Sequence, residues 1–335
     1  SAGGSTKVVV TAMCSNLGVA LVKLAAAILT GSGAMMSEAI HTFVDTGNQI
    51  LMLIGIRRSQ IPPSEQYPFG HHRELYFWGF IVASVLFLGG GVLTTYNGVQ
   101  HLLHPDAPEH LRIMGHEVYE PLFNSIILVI GGLMEFGSLR SAWKEFTDDA
   151  EGLNPFRAFR ECTNASTLVV LVEDIGAMVG LGIALLSQAL IALTGWWWID
   201  GTASLMIGIM LLIASYALVR EMFGLNIGEN SDPELARDIR AVVAAHPGVL
   251  FINELLVEHR GPESVLVLIS IDGRDSATIG DGEKLVTRLE REIKDKFEEV
   301  NRVFIEFQSK EDSRESIIEL MDEYRHADEP HSEAV

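Results

Sequence analysis

Six long apolar segments constrain this chain more than any other feature of its sequence. A helix needs about 20 predominantly apolar residues to cross the hydrocarbon core of a bilayer. The segments lie at roughly residues 8–30, 34–56, 75–103, 119–143, 165–194 and 199–220. The sequence therefore predicts an α-helical membrane protein with six transmembrane helices.

The character of the chain changes at about residue 230, where charged, amphipathic segments replace the apolar ones. The periodicity of these segments predicts an α-β-β-α-β order, with helices at 233–246 and 282–297 and strands at 249–258, 264–271 and 303–307. This order is typical of a small α+β, ferredoxin-like domain. We predict a membrane domain at 6–224, a cytoplasmic dimerisation domain at 225–310, and an acidic tail at 311–335 that forms a short helix and is then disordered.

Charge sets the orientation and excludes one class of partner. Basic residues cluster after the second, fourth and sixth segments, whereas the opposite loops carry almost none. By the positive-inside rule, both termini are expected in the cytoplasm. The formal net charge of −20 argues against a nucleic-acid partner, which would need a basic surface. We expect a multi-pass protein of a bacterial inner membrane.

The second segment carries polar residues at helical spacing. His41 and Asp45 are four residues apart, and Asn48 follows three residues later. On a helix, such residues share a face. Ionisable side chains at membrane depth usually face a bundle interior, a water-filled path or a partner. The sequence leaves two interpretations open: a structural polar pair, or half of a divalent-metal site in a transport path.

The fifth segment supplies a second set of acidic residues. Glu173 and Asp174 are adjacent, so they cannot point at the same place from a regular helix. Val170, one turn before Asp174, stands where a second ligand would be natural. Glu135 in the fourth segment is interpreted as structural, bonding Ser138 or the nearby basic loop, in preference to a role in the polar path.

If His41, Asp45 and Asp174 converge, one imidazole and two carboxylates would neutralise a divalent cation, as an apolar interior requires. Without the metal, the two carboxylates would take up protons, so that metal and protons compete for one site. Glu173, Asn48 or a water could supply a fourth ligand. This donor set suits Zn²⁺ and also Mn²⁺, Fe²⁺ or Co²⁺, each as a transported ion and not as a cofactor.

The chain resembles the cation diffusion facilitator family of zinc transporters over residues 8 to about 308. The resemblance rests on GSGAMMSEAIHTFVDTGNQ, YPFGHHRELYF, WIDGTASLMIGI and the predicted αββαβ domain. It implies a homodimer that exchanges a divalent metal ion for protons across a lipid bilayer, with Asp174 as a ligand. With Val170 beside Glu173 and Asp174, the chain resembles the branch that includes the mitochondrial zinc transporter of animals.

Two departures from the family pattern keep a second function open. Val170 replaces a ligand, and the predicted final strand, RVFIEFQSKED, contains no histidine, so that dimerisation is expected of the cytoplasmic domain but metal sensing is not. The alternative is a non-transporting scaffold or partner subunit with a degraded metal site. An intramembrane metalloenzyme is not expected, because the chain contains no HExxH motif.

Overall fold

A computed structural model describes residues 2–30, 33–103, 110–113, 116–149, 154–196, 198–229, 232–262 and 264–327. The chain divides into two compact units, Ser1–Ile227 and Gly228–Val335. As predicted, the first is a membrane unit built from long helices and the second is a small α+β unit.

The membrane unit consists almost entirely of helices. These are α1 (Ala2–Thr30), α2 (Gly33–Ser59), α3 (Glu74–Val85), a π-helical segment (Leu86–Leu93), α4 (Thr94–Leu103), α5 (Glu120–Asp149), α6 (Pro155–Glu161), α7 (Ala165–Thr194) and α8 (Trp198–Ile227). A short hairpin of β1 (His110–Ile113) and β2 (His116–Tyr119) precedes α5. Neither the hairpin nor α6 was predicted.

Five stretches of the described residues are long and apolar enough to cross a membrane. They are Thr6–Ala25, Glu74–Leu103, Ser125–Asp148, Ala165–Thr194 and Trp198–Ile227. The remaining predicted segment, 34–56, forms α2, and the side chains of residues 34–41 lie outside the described part of the chain.

The long helices pack as one continuous set. Helix α1 packs against α2 and α5, and α5 packs against α7. Helix α8 packs against α4, the π-helical segment and α7, and α3 packs against α2 and α8. Helices α2, α5 and α7 carry the predicted polar residues of the second, fourth and fifth segments, so the site is expected among these three helices.

The third predicted segment, 75–103, is not one regular helix. Its middle is π-helical and contains three consecutive glycines, Gly89–Gly91. Glycine relaxes the steric limits on the backbone, which permits the wider turn. Gly91 also approaches α8 closely, because a β-carbon there would lie 2.7 Å from Leu212 Cδ2. The glycine run is the physical reason for the departure from a regular helix.

Glycines also bring the backbones of α4 and α8 together. A β-carbon at Gly98 would lie 2.5 Å from the backbone nitrogen of Leu205, and one at Gly208 would lie 2.5 Å from that of Thr95. Small residues permit such approaches between membrane helices. The glycine-rich sixth segment therefore packs closely, as its composition predicts.

The second unit contains α9 (Pro233–Ala245), β3 (Val249–Gly261), β4 (Ser264–Gly273), α10 (Ile279–Lys296), β5 (Val300–Phe307) and α11 (Lys310–Ala327). The sheet order is β3-β4-β5, with β3 antiparallel and β5 parallel to β4. The predicted αββαβ fold is confirmed. The disorder predicted for the last ten residues falls largely on residues 328–335, outside the described residues.

One face of this sheet packs on α9 and α10, and the other is open. Ile239 and Leu289 of the helices share a buried core with Val267 of β4. On the other face, Leu256, Leu268 and Phe304 pair across the three strands, and each is more than one third exposed. The unit thus presents a row of apolar side chains on its open face.

Candidate metal centre

Helix α2 turns a line of buried polar side chains toward its neighbours. Lys23 of α1 donates a hydrogen bond from Nζ to Oγ1 of Thr42 at 3.0 Å, and both side chains are buried. Asn48, on the same helix, is only 3% exposed. The bond between Lys23 and Thr42 joins α1 to α2 one turn from Asp45. This hydrogen bond therefore holds α1 and α2 in register beside the candidate site.

Glu173 of α7 contacts α2 directly. Asn48 Nδ2 donates a hydrogen bond to Glu173 Oε1 at 3.3 Å. The other carboxylate oxygen, Oε2, is buried and makes no hydrogen bond within the described part of the chain. Asp45 lies near enough to interact electrostatically with Glu173. The acidic residues of the second and fifth segments therefore meet between α2 and α7.

Asp174 points to a different neighbour, as adjacent positions on a helix require. Its side chain is 3% exposed and lies beside Ser138 of α5, with Glu135 and Asp45 close enough to interact electrostatically. Asp174 Oδ2 and Ser138 Oγ are both buried, and neither completes a hydrogen bond among the described residues. Asp174 thus places an unsatisfied acceptor between α5 and α7.

A cation is the ligand that this arrangement favours. An unpaired carboxylate oxygen in a buried position costs free energy, and a positive ion that it contacts removes that cost. His41 lies on α2 one turn before Asp45, but its side chain is outside the described residues. Among the described side chains, no three of His, Cys, Asp and Glu already lie close enough together to hold a metal ion. The described carboxylates therefore lie near one another but do not yet form a complete metal site.

Val170 contributes no donor. It is fully buried in an apolar cluster that also contains Met52 of α2 and Tyr76 of α3. One turn before Asp174, helix α7 therefore offers packing and not a ligand.

Glu135 lies on α5 within electrostatic range of Asp174. The sequence favoured a structural role for Glu135 over a role in the polar path, and both roles are compatible with this position. The spacing of three residues between Glu135 and Ser138 is the signal that places both on one helix face. That signal does not reveal which helix the face contacts.

His71 joins a cluster of side chains at the start of α3. Its Nδ1 lies 2.6 Å from Glu74 Oε1, and Arg58 at the end of α2 also bonds the Glu74 carboxylate. The cluster fastens the end of α2 to the start of α3.

The chain is similar in sequence to metal transporters of animals and bacteria. Mitochondrial proton-coupled zinc antiporters SLC30A9 from Xenopus laevis and Homo sapiens are each 31% identical to it over 271 residues, covering 80% of the chain and 47% and 46% of the relative. The chain thus spans about half the length of these relatives. The manganese efflux system protein MneP of Bacillus subtilis is 22% identical over 305 residues, covering 90% of the chain and 95% of the relative.

Nearly all of the membrane unit matches a known family. Residues 9–224, more than half of the chain, match the cation efflux transmembrane domain. This range contains α2, α5 and α7, with every carboxylate of the candidate metal centre. The chain belongs to the cation efflux family.

Proposed function

We propose that the protein exports a divalent transition-metal ion from the cytosol in exchange for protons, by alternating access. The observation that carries this proposal is the proximity of Asp45, Glu173 and Asp174 between helices of the membrane unit, where Glu173 Oε2 and Asp174 Oδ2 are buried and have no hydrogen-bond partner within the described residues. Such carboxylates inside a bilayer mark an ion pathway more often than a structural contact.

The proposed ligands are His41, Asp45 and Asp174, with Glu173 and Asn48 as further donors. A dication neutralises two carboxylates, and two protons do the same when the ion has left. Because metal and protons compete for the same oxygens, exposure of the site to each side in turn couples their movement in opposite directions. The protein then acts as a transporter and not as an enzyme.

Zn²⁺ is the transported ion that we propose first. The names of the SLC30A9 relatives specify zinc, and the name of the Bacillus subtilis relative specifies manganese. Mn²⁺, Fe²⁺ and Co²⁺ suit the same mixture of imidazole and carboxylate donors.

We further propose a homodimer in a bacterial inner membrane. The open apolar row of Leu256, Leu268 and Phe304 is a surface that a second copy would cover. The bacterial assignment is supported by the match with nearly all of the Bacillus subtilis relative, although the SLC30A9 relatives are named as mitochondrial.

The test is metal flux into proteoliposomes that contain a pH-sensitive dye, for each of the four ions in turn. Metal entry coupled to proton exit is expected, together with loss of flux in Asp45→Asn. Flux that is unchanged in Asp45→Asn would refute the site. Flux that is unchanged when the pH gradient is collapsed would refute exchange with protons.

A non-transporting scaffold is the second candidate, and burial of Val170 in the apolar core is the observation that favours it. A scaffold would carry no ion under any gradient, and Asp45→Asn would leave its association with partners unchanged. Absence of flux for all four ions, in a protein that remains folded, would therefore select this function.

A further inference from the structure

We propose that Glu135 of α5 donates a carboxylate to the transported ion and takes the place of the ligand that Val170 does not provide. This inference rests on the proposed transport of a divalent cation. It adds a third helix to a site otherwise built from α2 and α7.

Glu135 lies on the inward face of α5. Gly131 and Gly132, about one turn earlier, and Ser138, one turn later, are buried. Leu133 and Phe136 are mostly exposed and point away from the bundle. Because residues three and four apart share a helix face, the Glu135 side chain extends from the buried face and not toward lipid.

The glycines next to Glu135 let α5 approach its neighbours. A β-carbon at Gly131 would lie 3.4 Å from Val19 of α1, and one at Gly132 would overlap with Leu181 of α7. Helix α5 therefore lies against the Leu181 side chain of α7 about one turn from Glu135.

The partner in α7 is Asp174. Glu135 interacts with it electrostatically, and Ser138 of the same α5 face lies directly beside it. Asp174 is 3% exposed, and its Oδ2 makes no hydrogen bond within the described residues. This buried, unpartnered oxygen on the face where Glu135 lies is what an ion held between α5 and α7 would satisfy. Asp45 extends the set to α2, so that each of three helices would bring one carboxylate to the ion when the site closes around it.

The added carboxylate shifts the relative affinity of the site toward Mn²⁺, while Zn²⁺ remains the transported ion that we propose first. With apolar Val170 in α7 and Glu135 in α5, oxygen donors outnumber nitrogen donors. Carboxylate-rich sites suit Mn²⁺, whereas imidazole suits Zn²⁺. We therefore infer that Glu135 supports Mn²⁺ more than Zn²⁺.

The experiment compares full-length wild type with Glu135→Gln, Glu135→Asp and the control Glu145→Gln in lipid nanodiscs. Glu145 lies on the same helix near its cytoplasmic end. Binding of Mn²⁺ and Zn²⁺ is measured from the metal-dependent shift in Tm, and flux of both ions is measured in proteoliposomes. We expect Glu135→Gln to weaken Mn²⁺ binding at least about tenfold and Zn²⁺ binding less, Glu135→Asp to recover part of the loss, and the control to match wild type.

The two proposals fail in different ways. Wild-type affinities for both ions in Glu135→Gln would overturn the role of Glu135. A lower Tm without metal in this variant, together with an equal loss of affinity for both ions, would also overturn it, because that combination indicates a structural effect. Wild type that binds Mn²⁺ through Glu135 but carries no ion would overturn transport and uphold this inference. Wild type that binds neither ion would overturn both.

Discussion

The interior between α2, α5 and α7 and the contact between α4 and α8 meet opposite demands within one membrane unit. In the first region, buried polar atoms of Glu173 and Asp174 have no partner among the described residues. In the second, glycines let backbone approach backbone, and no additional carbon fits. The buried acceptors of the first region lower the stability of the protein until a ligand satisfies them, whereas packing in the second region raises its stability. Function and folding should therefore respond to mutation in different places.

The largest effect is expected for Asp174→Asn. Loss of a charged ligand should reduce metal flux by about 100-fold, which corresponds to about 2.7 kcal/mol. The Tm without metal should stay nearly the same, because the neutral amide of asparagine resembles the protonated carboxyl group that we propose for the metal-free site. Flux in proteoliposomes and thermal unfolding in detergent measure the two effects separately. An equal collapse of flux and Tm would contradict the contrast between the two regions.

Gly98→Ala should produce the reverse pattern. Its β-carbon would meet the α8 backbone at Leu205, and overpacking of this kind costs about 1–3 kcal/mol. The matched control is Gly182→Ala in α7, where a β-carbon meets no atom within 4 Å. The control should be neutral or gain up to about 1 kcal/mol from helix propensity. Thermal unfolding that is identical in the two variants would show that the close approach does not matter.

Asn48→Leu tests whether the hydrogen bond to Glu173 belongs to the polar interior. The substitution leaves Glu173 Oε1 without the donor that it has in the fold, which costs about 1–3 kcal/mol. We expect flux to fall by about fivefold to tenfold, less than for Asp174→Asn, since Asn48 positions a carboxylate and does not carry the charge. Thr46→Val is the control, because the hydrogen bond of Thr46 Oγ1 within the described residues goes to the Thr42 carbonyl of its own helix. Equal flux in the two variants would remove Asn48 from the site.

Much of the fold follows from local signals in the sequence. Apolar length predicts the membrane helices, and alternation with turn residues predicts β3 and β4. Helix α10 begins where Thr278 and Asp281 form a reciprocal capping box, a pattern that short-range chemistry explains. Helix α10 begins at Ile279, directly after the capping residue Thr278, and not at the predicted 282, so the cap sets the boundary.

The missed features depend on contacts between distant residues. Nothing in the spacing of Glu135 specifies that α5 packs beside Asp174, since that contact depends on how α5 and α7 approach each other at Gly132. The π-helical segment likewise follows from the run Gly89–Gly91, but its exact turn depends on packing against Leu212 of α8. Helix faces could be predicted, whereas the pairing of faces could not.

The smallest effect concerns a buried polar atom outside the membrane. His259 of β3 is 4% exposed, and its Nδ1 has no hydrogen-bond partner within the described residues. Burial lowers the pKa of His259 below its ordinary value of 6.5, although Asp232 and Glu299 oppose the effect by attracting the charged form. The neutral imidazole is therefore the form that the folded unit favours.

A lowered pKa makes the unit more stable when the histidine is neutral. The contribution of His259 to stability should be present above pH 6.5 and should be lost as the pH falls through 6.5 toward the lowered pKa of the folded state. Hydrogen exchange of the β3 and β4 amides, corrected for the intrinsic effect of pH, measures this in the full-length protein. Protection should fall on acidification in wild type and in the control His246→Asn, and should depend less on pH in His259→Leu. Metal flux should be unchanged in His259→Leu at neutral pH, because His259 lies in the second unit and is not part of the proposed metal site in the membrane unit. Loss of flux in His259→Leu would show that the second unit also contains a group that transport requires. The comparison of two regions within the membrane unit would then be incomplete.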